Sequence, residues 1–520
     1  MWNEGYVSEV DYVHGYFAEL SPVRLKLALL SRGISHDVGK DPAYLELGFG
    51  QGLSLNINAA TSSGQFYGTD FNPSQAAYAT QIARASGKPV QVFDDSFEDL
   101  ERREDLPQFD IITLHGIWSW VSAEARQAIV DIIRDRLKPG GILYVSYNCK
   151  PGWAPIEPLR HLLNLHSAKA ATGSLLSRVG QSLAFAERLV ATNAGYFAQY
   201  PAIGDMVNSV SRLDRNYVSH EYFNRHWLPE SFSEVSAKLS EAKMDFAASA
   251  NLIDNMPGLG VPAHCQDLLD EISDAALYET VRDYLVNRQF RRDIFVKGKR
   301  QMTALEIADR LDEYAFIALA DHKELPLVLA TSAGSATLRE DVYKPVWKAL
   351  EAANGAAKSF SEISEAVAGA GVTRTQLAEV LFVLTGRGDI APASQSASSE
   401  EDLSASIALN RALCLRSRYA SGANHLAAPR IGAAIPVGRV QQLILLAIWG
   451  GAKDVEATVW GWLSAQDERL VRKGETLESA EDNLEEIRTI HAHVAAILLP
   501  LLRRLGGAAD TAAGDVALTA

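Results

Sequence analysis

An α/β fold built on a parallel sheet is what residues 43–148 predict, and three observations carry the prediction. Short apolar runs alternate with amphipathic segments at βαβ spacing. Glycine and proline mark the joins between them. The first apolar run opens directly into a glycine-rich loop, "LELGFGQGLSLN", Leu45 to Asn56. Regular alternation of this kind means parallel strands covered by helices on both faces.

Each element can be justified in turn. "AYLEL" is strand-like and "GLSLNINAATSS" follows as a helix. "QFYGTD" is the second strand, and "NPSQAAYATQIARASG" a helix ended by Gly87. "PVQVF" is the third strand, followed by "DDSFEDLERRE". "FDIITLHG" is the fourth, and "SAEARQAIVDIIRDRLKPGG" is its helix, begun by Ser122 and stopped by Pro139-Gly140-Gly141. "ILYVSYN" is the fifth strand. From about Pro155 to residue 335 helical segments dominate, with no further βαβ rhythm. Near residue 338 a third region starts: "DVYKPVWKALEAA", "SFSEISEAVAG" and "TRTQLAEVLFVLTGRGDIAPA" read as three helices and a short strand. That order predicts a winged-helix-like α+β unit. "SQSASSEEDLS" (394–404) reads as a polar linker, and residues 483–507 as a closing amphipathic helix. The expected division is 1–154, an α/β domain; 155–335, a helical lid or regulatory domain; 336–507, a C-terminal domain; and 508–520, a disordered tail.

Composition bounds the function. The chain has 520 residues, 47% apolar and 22% charged, as expected of a multidomain globular protein. Its net charge is −15, which gives a nucleic-acid partner no support. Residues 337–392 hold six Lys/Arg against seven Asp/Glu, so the winged-helix-like unit reads as a packing or interaction module. Cys149, Cys265 and Cys414 are odd in number and far apart, which argues for a reducing, cytoplasmic setting. No Cys/His cluster has metal-ligand spacing, so no metal is expected. The N-terminus lacks a signal-peptide pattern. The longest apolar stretches are too short to span a bilayer as helices, so no membrane insertion is expected.

The chemistry concentrates in the glycine loop. Glu46 is followed by Gly48, Gly50 and Gly52, and the second strand ends at Asp70, where a nucleotide-binding βαβ unit places its ribose-binding acid. The dinucleotide fingerprint needs a further glycine where Leu53 stands, and no GxxxxGK[ST] is present. The spacing instead resembles motif I of the Rossmann-like class I S-adenosylmethionine methyltransferases. Asp70-Phe71, "FDDSF" after the third strand, "FDIITLHG" and "LKPGGIL" stand where that family has its later motifs. The resemblance implies S-adenosylmethionine as methyl donor and S-adenosylhomocysteine as product. A ligand with a sulfonium and no phosphate suits a loop with no Lys or Arg in residues 45–56. The glycines would admit its amino-acid end to the backbone, Asp70 and Phe71 would hold the ribose, and Asp95, Ser96 and Phe97 the adenine.

The likeness narrows through "YVSEVDYVHGYFAELSP", "LHGIWSWV", "SYNCKPGW", "NYVSHEYFN" and "NRQFRRDIFVKG". Together these resemble methyltransferases that carry a methyltransferase regulatory domain, among them the rickettsial outer-membrane-protein lysine methyltransferases. The likeness covers most of residues 6–300 and weakens over 338–520.

Candidates for the acceptor side lie at the carboxyl ends of the strands. His115 after the fourth strand would orient the acceptor or take its proton; otherwise it contacts the cofactor through its backbone. Trp118 and Trp120 are walls or core. Tyr147 and Asn148 end the fifth strand, where the methyl would arrive. Tyr12 and Tyr16, four apart, share a helical face and would fold over the cofactor, or simply pack on the sheet. His220, Glu221, Tyr222 and Asn224 form a polar-aromatic cluster that reads as a lid or as an interdomain contact. Arg291 and Arg292 read as an ion-pair face.

Three functions stand at this point. The first is methyl transfer to lysines of a protein held unfolded or extended, such as an outer-membrane protein. The second is a small-molecule O- or N-methyltransferase whose extra domains form a lid and a homodimer contact. The third is a non-catalytic regulator that keeps the cofactor fold. A DNA amino-methyltransferase is disfavoured, because "LHGIW" stands where those enzymes carry [DNSQ]-Pro-Pro-aromatic.

Overall fold

A computed structural model describes residues 15–509, apart from 321, 323, 395–399 and 421. The expected strands form in order: β1 (Ala43–Leu47), β2 (Gln65–Thr69), β3 (Val90–Phe93), β4 (Phe109–Leu114) and β5 (Leu137–Asn148). They pair in parallel, and every residue of β1 and β4 is buried, as a sheet covered on both faces requires. Helices α1 (Pro22–Ser31), α2 (Leu53–Thr61), α3 (Pro73–Ser86), α4 (Phe97–Glu101) and α5 (Ala123–Arg136) supply the cover. Local signals act as expected at α3. Asn72 caps its N-terminus by accepting from Ser74, Pro73 fills the first turn, and Gly87 ends it in the left-handed conformation. Helix α5 starts after its Ser122 cap but ends at Arg136, three residues before the expected Pro-Gly-Gly stop. "LKPGG" instead opens β5, where Leu137 pairs with Phe109 and Lys138 reaches Asp110 at 2.9 Å.

The sheet does not stop at residue 154. Five helices follow β5: α6 (Glu157–Lys169), α7 (Leu175–Ala191), α8 (Gly195–Gln199), α9 (Pro201–Val210) and α10 (Arg215–Tyr222). Then come α11 (Phe232–Ser240), β6 (Met244–Ser249), α12 (Gln266–Asp270), α13 (Ala275–Leu285) and β7 (Phe290–Lys297). The full order is β3-β2-β1-β4-β5-β7-β6, with β7 antiparallel to both neighbours. The region expected to be mainly helical therefore divides. Helices α6–α10 form an insertion with their own core around Leu163, Val179, Val207 and Val218, while β6 and β7 complete the sheet. The insertion is pinched at its base: Glu230 N–H donates to the Asn148 carbonyl at 3.2 Å, and Lys150 N–H donates to the Glu230 carbonyl at 3.3 Å.

Strand β7 was hidden by its charges. Buried Arg291 donates to Asp283 (2.7 Å), Glu279 (2.9 Å) and Asp293 (2.7 Å). Its guanidinium also lies 4.5 Å from the Phe232 ring centroid. Arg292 pairs with Glu19 at 3.3 Å. The two arginines are thus the expected ion-pair face, but one of them sits inside a sheet whose partners on α13 the strand's own sequence does not reveal.

The expected boundary at residue 335 also falls inside a unit. Helix α14 (Ala304–Asp312) precedes β8 (Ala315–Ala318), and a hairpin of β9 (Val328–Thr331) and β10 (Gly334–Thr337) follows. Next come α15 (Glu340–Glu351), β11 (Lys358–Ser359), α16 (Phe360–Val367), α17 (Arg374–Arg387) and β12 (Ile390–Pro392). The small sheet β11-β8-β12 with three helices is the winged-helix-like unit, begun some twenty residues earlier than its helices alone suggested. Helix α18 (Glu400–Arg416) starts inside the segment read as linker and packs on α2 and α3. Ser406 donates to the Ala60 carbonyl at 2.7 Å, and Lys88 pairs with Asp402 at 2.6 Å. No single helix among the described residues is long and apolar enough to cross a membrane.

Candidate functional site

A cavity of about 260 Å³ opens at the carboxyl ends of β1, β2, β4 and β5, beneath the helical insertion. Its floor is the glycine loop. Gly48, Gly50 and Gly52 have φ of 70°, 58° and 70°, which glycine alone adopts without strain. At Gly48 a Cβ would also stand 2.3 Å from Ile117 Cδ1. Gly48 and Gly50 line the cavity, whereas Gly52 sits below it as the cap of α2.

Asp70 ties this loop to the end of β2. Its Oδ2 accepts from Gly50 N–H at 2.8 Å and its Oδ1 from Asn72 N–H at 3.1 Å. The Gln75 amide lies against the same carboxylate, and in the orientation that satisfies both groups it donates to Oδ1 at 2.8 Å. Burial nevertheless pushes the Asp70 pKa up to about 7, partly offset by the Asn72 and Gly50 donors. Glu46 ends β1 under the loop, with the Tyr44 hydroxyl at 3.4 Å. Burial, aided by the nearby Asp70 charge, raises its pKa to about 8.

Asp95, Ser96, Phe97 and Phe71 line the opposite side. Asp95 is not free: Arg103 Nη1 donates to it at 2.9 Å. Ser96 caps α4, accepting from Asp99 N–H at 3.1 Å. This side pairs two aromatic rings with a held carboxylate, which fits a flat, uncharged base. Among the described lining residues there are five carboxylates (Glu46, Asp70, Asp95, Glu98 and Glu221) and no lysine or arginine. Together with the side-chain-free floor, this donor set fits a nucleoside carrying a sulfonium and misfits a pyrophosphate.

Acceptor-side expectations divide. His115 lines the cavity, stacked on Phe17 (centroids 3.7 Å) with its Nδ1 2.7 Å from the Tyr144 hydroxyl. Burial pulls its pKa down to about 4, so the imidazole is neutral and only weakly basic at neutral pH. That disfavours the proton-taking role considered for it. Asn148 lines the cavity, and its buried Nδ2 meets no hydrogen-bond partner among the described residues. Tyr147 does not line it. Strand residues alternate in direction, and its hydroxyl points away to donate to Asp293 at 2.7 Å. Trp118 is fully buried, its indole donating to Glu230 at 2.8 Å, and it is Trp120 that faces the cavity. Tyr222 is buried in the insertion core, while His220, Glu221 and Asn224 line the cavity in its place. Tyr16 packs with the C-terminal core, its hydroxyl accepting from Ala434 N–H at 3.0 Å, and the neighbouring Gly15 and Phe17 take the lining positions. Tyr12 lies outside the described residues.

Sequence reading missed Phe17, Gln75, Glu98, His226 and Phe290. The motif "NRQFRRDIF" held the signal for Phe290, since a strand start beside β5 must reach the same edge. The lid elements are held by α6. Arg160 donates to the Asn224 carbonyl (2.8 Å) and the Glu221 carbonyl (3.5 Å), and Asn164 donates to the Tyr222 carbonyl (2.6 Å). These donors satisfy carbonyls that the end of α10 leaves open. The Arg160 guanidinium also lies 5.5 Å from the Trp120 ring. No cluster of three or more His, Cys, Asp or Glu placed to hold a metal occurs among the described residues.

Known proteins match along the chain. A methyltransferase domain family matches residues 45–143, and a family described as a predicted methyltransferase regulatory domain matches residues 214–297. The uncharacterized protein sll1526 of Synechocystis is 38% identical over 508 residues, 97% of this chain and 99% of its own. The uncharacterized protein RP789 of Rickettsia prowazekii is 25% identical over 288 residues, covering 54% of this chain and 51% of its own. PKMT2 from Rickettsia typhi shares the fold over 95% of this chain and 99% of its own, with a TM-score of 0.65 at 16% identity. Its complex with AdoHcy matches over the same shares, with a TM-score of 0.66 at 18% identity. The glycine loop, the seven-stranded order and the regulatory segment that completes the sheet converge on one conclusion: the chain belongs to the class I S-adenosylmethionine-dependent methyltransferases that carry a methyltransferase regulatory domain.

Proposed function

We propose that this enzyme methylates the side-chain amine of lysines in a protein acceptor presented unfolded or extended, such as an outer-membrane protein. The observation that carries the reading is the acidic character of the cavity: five carboxyl groups, which a cationic ligand would draw into their ionised form, with no lysine or arginine among the described lining residues. Such a lining attracts a cationic amine and repels carboxylate or phosphate acceptors. Phe17, Trp120 and Phe290 add aromatic walls, which suit both an ammonium and its methylated product. The resemblance to the rickettsial outer-membrane-protein lysine methyltransferases points the same way.

The chain's own residues supply positioning and desolvation. Asn148 offers a polar edge, unpaired among the described residues, where β5 ends, and residues of the insertion line the cavity above it. Methyl transfer is an in-line displacement, so holding the amine dry and aligned is the main contribution asked of the protein.

The test supplies radiolabelled S-adenosylmethionine with fractionated envelope protein and, separately, with a small-molecule extract. Methyl-lysine recovered after hydrolysis of the protein fraction is the expected result. Label confined to the small-molecule fraction would mean that a free amine or hydroxyl compound is the acceptor.

A further inference from the structure

The lid brings a carboxylate of its own into the cavity. Of the five that line the cavity, Asp70 is held by Gly50, Asn72 and Gln75, Asp95 by Arg103, and Glu46 by Tyr44 beneath the glycine loop. Glu98 stands on α4, beside the Asp95–Phe97 side of the cavity. Glu221 alone comes from the insertion, and its carboxylate meets no hydrogen-bond donor among the described residues. Its backbone is held, because Arg160 donates to its carbonyl and to that of Asn224 while lying against Trp120. The lid backbone and the aromatic wall thus share one guanidinium.

We propose that Glu221 receives the acceptor's ammonium and removes its proton before methyl transfer. This rests on the amine-acceptor reading above. An ammonium has no lone pair and cannot attack. The proton passes from the acceptor nitrogen to a Glu221 carboxylate oxygen. The freed lone pair then forms the N–C bond as the methyl carbon's bond to sulfur breaks, with that electron pair staying on sulfur. The new methylammonium carries the positive charge that the sulfonium loses, and Glu221 returns its proton to solvent.

The surroundings suit a base that works near neutrality. Burial raises the Glu221 pKa to about 7, and Arg160 on α6 pulls in the opposite direction. Tyr217 and Tyr222 flank it on α10, and His220, His226, His115, Asp95 and Glu98 line the same cavity. A base matched to the working pH transfers protons most effectively.

Full-length wild type, Glu221→Gln and Glu221→Asp are assayed with tritiated S-adenosylmethionine and a lysine-containing peptide over about pH 6 to 9. Glu221→Gln should lower kcat by roughly 10²-fold and abolish the acidic limb of the profile. Its calorimetric affinity for S-adenosylhomocysteine should stay within about twofold of wild type, which guards against misfolding. Glu221→Asp should recover part of the rate and the limb. With S-adenosylhomocysteine bound, the Gln variant should also bind the peptide at least about fivefold more weakly, a readout independent of turnover. A Gln variant that keeps the acidic limb or turns over within about threefold of wild type overturns the proposal. Methyl-lysine in the product separates that result from failure of the amine reading, which would yield none.

Discussion

Asp70 Oδ2 accepts the Gly50 N–H at 2.8 Å, so the acid at the end of β2 and the glycine loop after β1 form one unit. Asp70→Ala therefore removes the brace for the loop together with the ribose contact that the resemblance implies. Cofactor affinity should fall about 10- to 100-fold, in line with loss of hydrogen bonds to a charged group. Calorimetry with S-adenosylhomocysteine measures it, and unchanged affinity would refute the assignment.

Cofactor affinity should also depend on pH. Burial raises Asp70 to about 7 and Glu46 to about 8 in the ligand-free protein. Both exceed the unfolded carboxylate range, so the unfolded state ionises first. Stability from these groups is fully present below that range and is lost as pH rises towards 8. A cationic, hydroxyl-bearing ligand favours the ionised forms. Binding should release protons and tighten with rising pH, by up to about tenfold per unit. Calorimetry in buffers of different ionisation enthalpy detects the proton release, and a flat affinity across this range would contradict it.

Tyr147 and Asn148 are neighbours with opposite expected phenotypes. Tyr147→Phe deletes the bond to Asp293 in the buried ion network. It should lower unfolding free energy by about 2 kcal/mol and leave cofactor affinity unchanged. Asn148→Ala should leave stability nearly unchanged and lower kcat, because its Nδ2 edges the cavity without a partner among the described residues. Denaturant titration with steady-state kinetics distinguishes the two.

Arg160 is a positioning residue. Arg160→Ala removes the donors to the Glu221 and Asn224 carbonyls, leaving only Asn164 on that of Tyr222, and should cost about 2 kcal/mol. It should raise KM for the acceptor more than it changes cofactor affinity. Arg160→Lys should not rescue, since one ammonium cannot reach both carbonyls and stack against Trp120 as well.

A chain ending at residue 394 should be poorly soluble. Leu53, Ile57 and Ala60 of α2 are buried in the core that the C-terminal region completes. Removing that region exposes an apolar face beside the glycine loop. Size-exclusion chromatography tests this, and a soluble monomer with intact cofactor affinity would show that the face needs no cover.

The donor half of the site was legible because it is local. Glu46, the glycines and Asp70 are held by turn geometry and by one strand-to-strand bond, all within one βαβ unit. The acceptor half was legible only to within a residue or two. Sequence reading names Tyr16 where Phe17 lines the cavity, and names Trp118 and Tyr222 together with Trp120 and Glu221, of which only the latter two line it. In each case the segment was right, but the facing side chain depends on a phase that only packing sets. Strands β6 and β7 escaped notice for a related reason: β7 buries Arg291 and Asp293 against partners on α13, so its pattern does not read as a strand core.

The pinch between Asn148 and Glu230 has an evolutionary consequence. Helices α6–α10 depart from and return to a single point, so the cost of closing them depends only weakly on their length. Such a segment behaves as an exchangeable cassette. Its sequence can drift or be grafted without disturbing the donor seat below. Relatives with the same floor are then free to diverge in the molecules they modify.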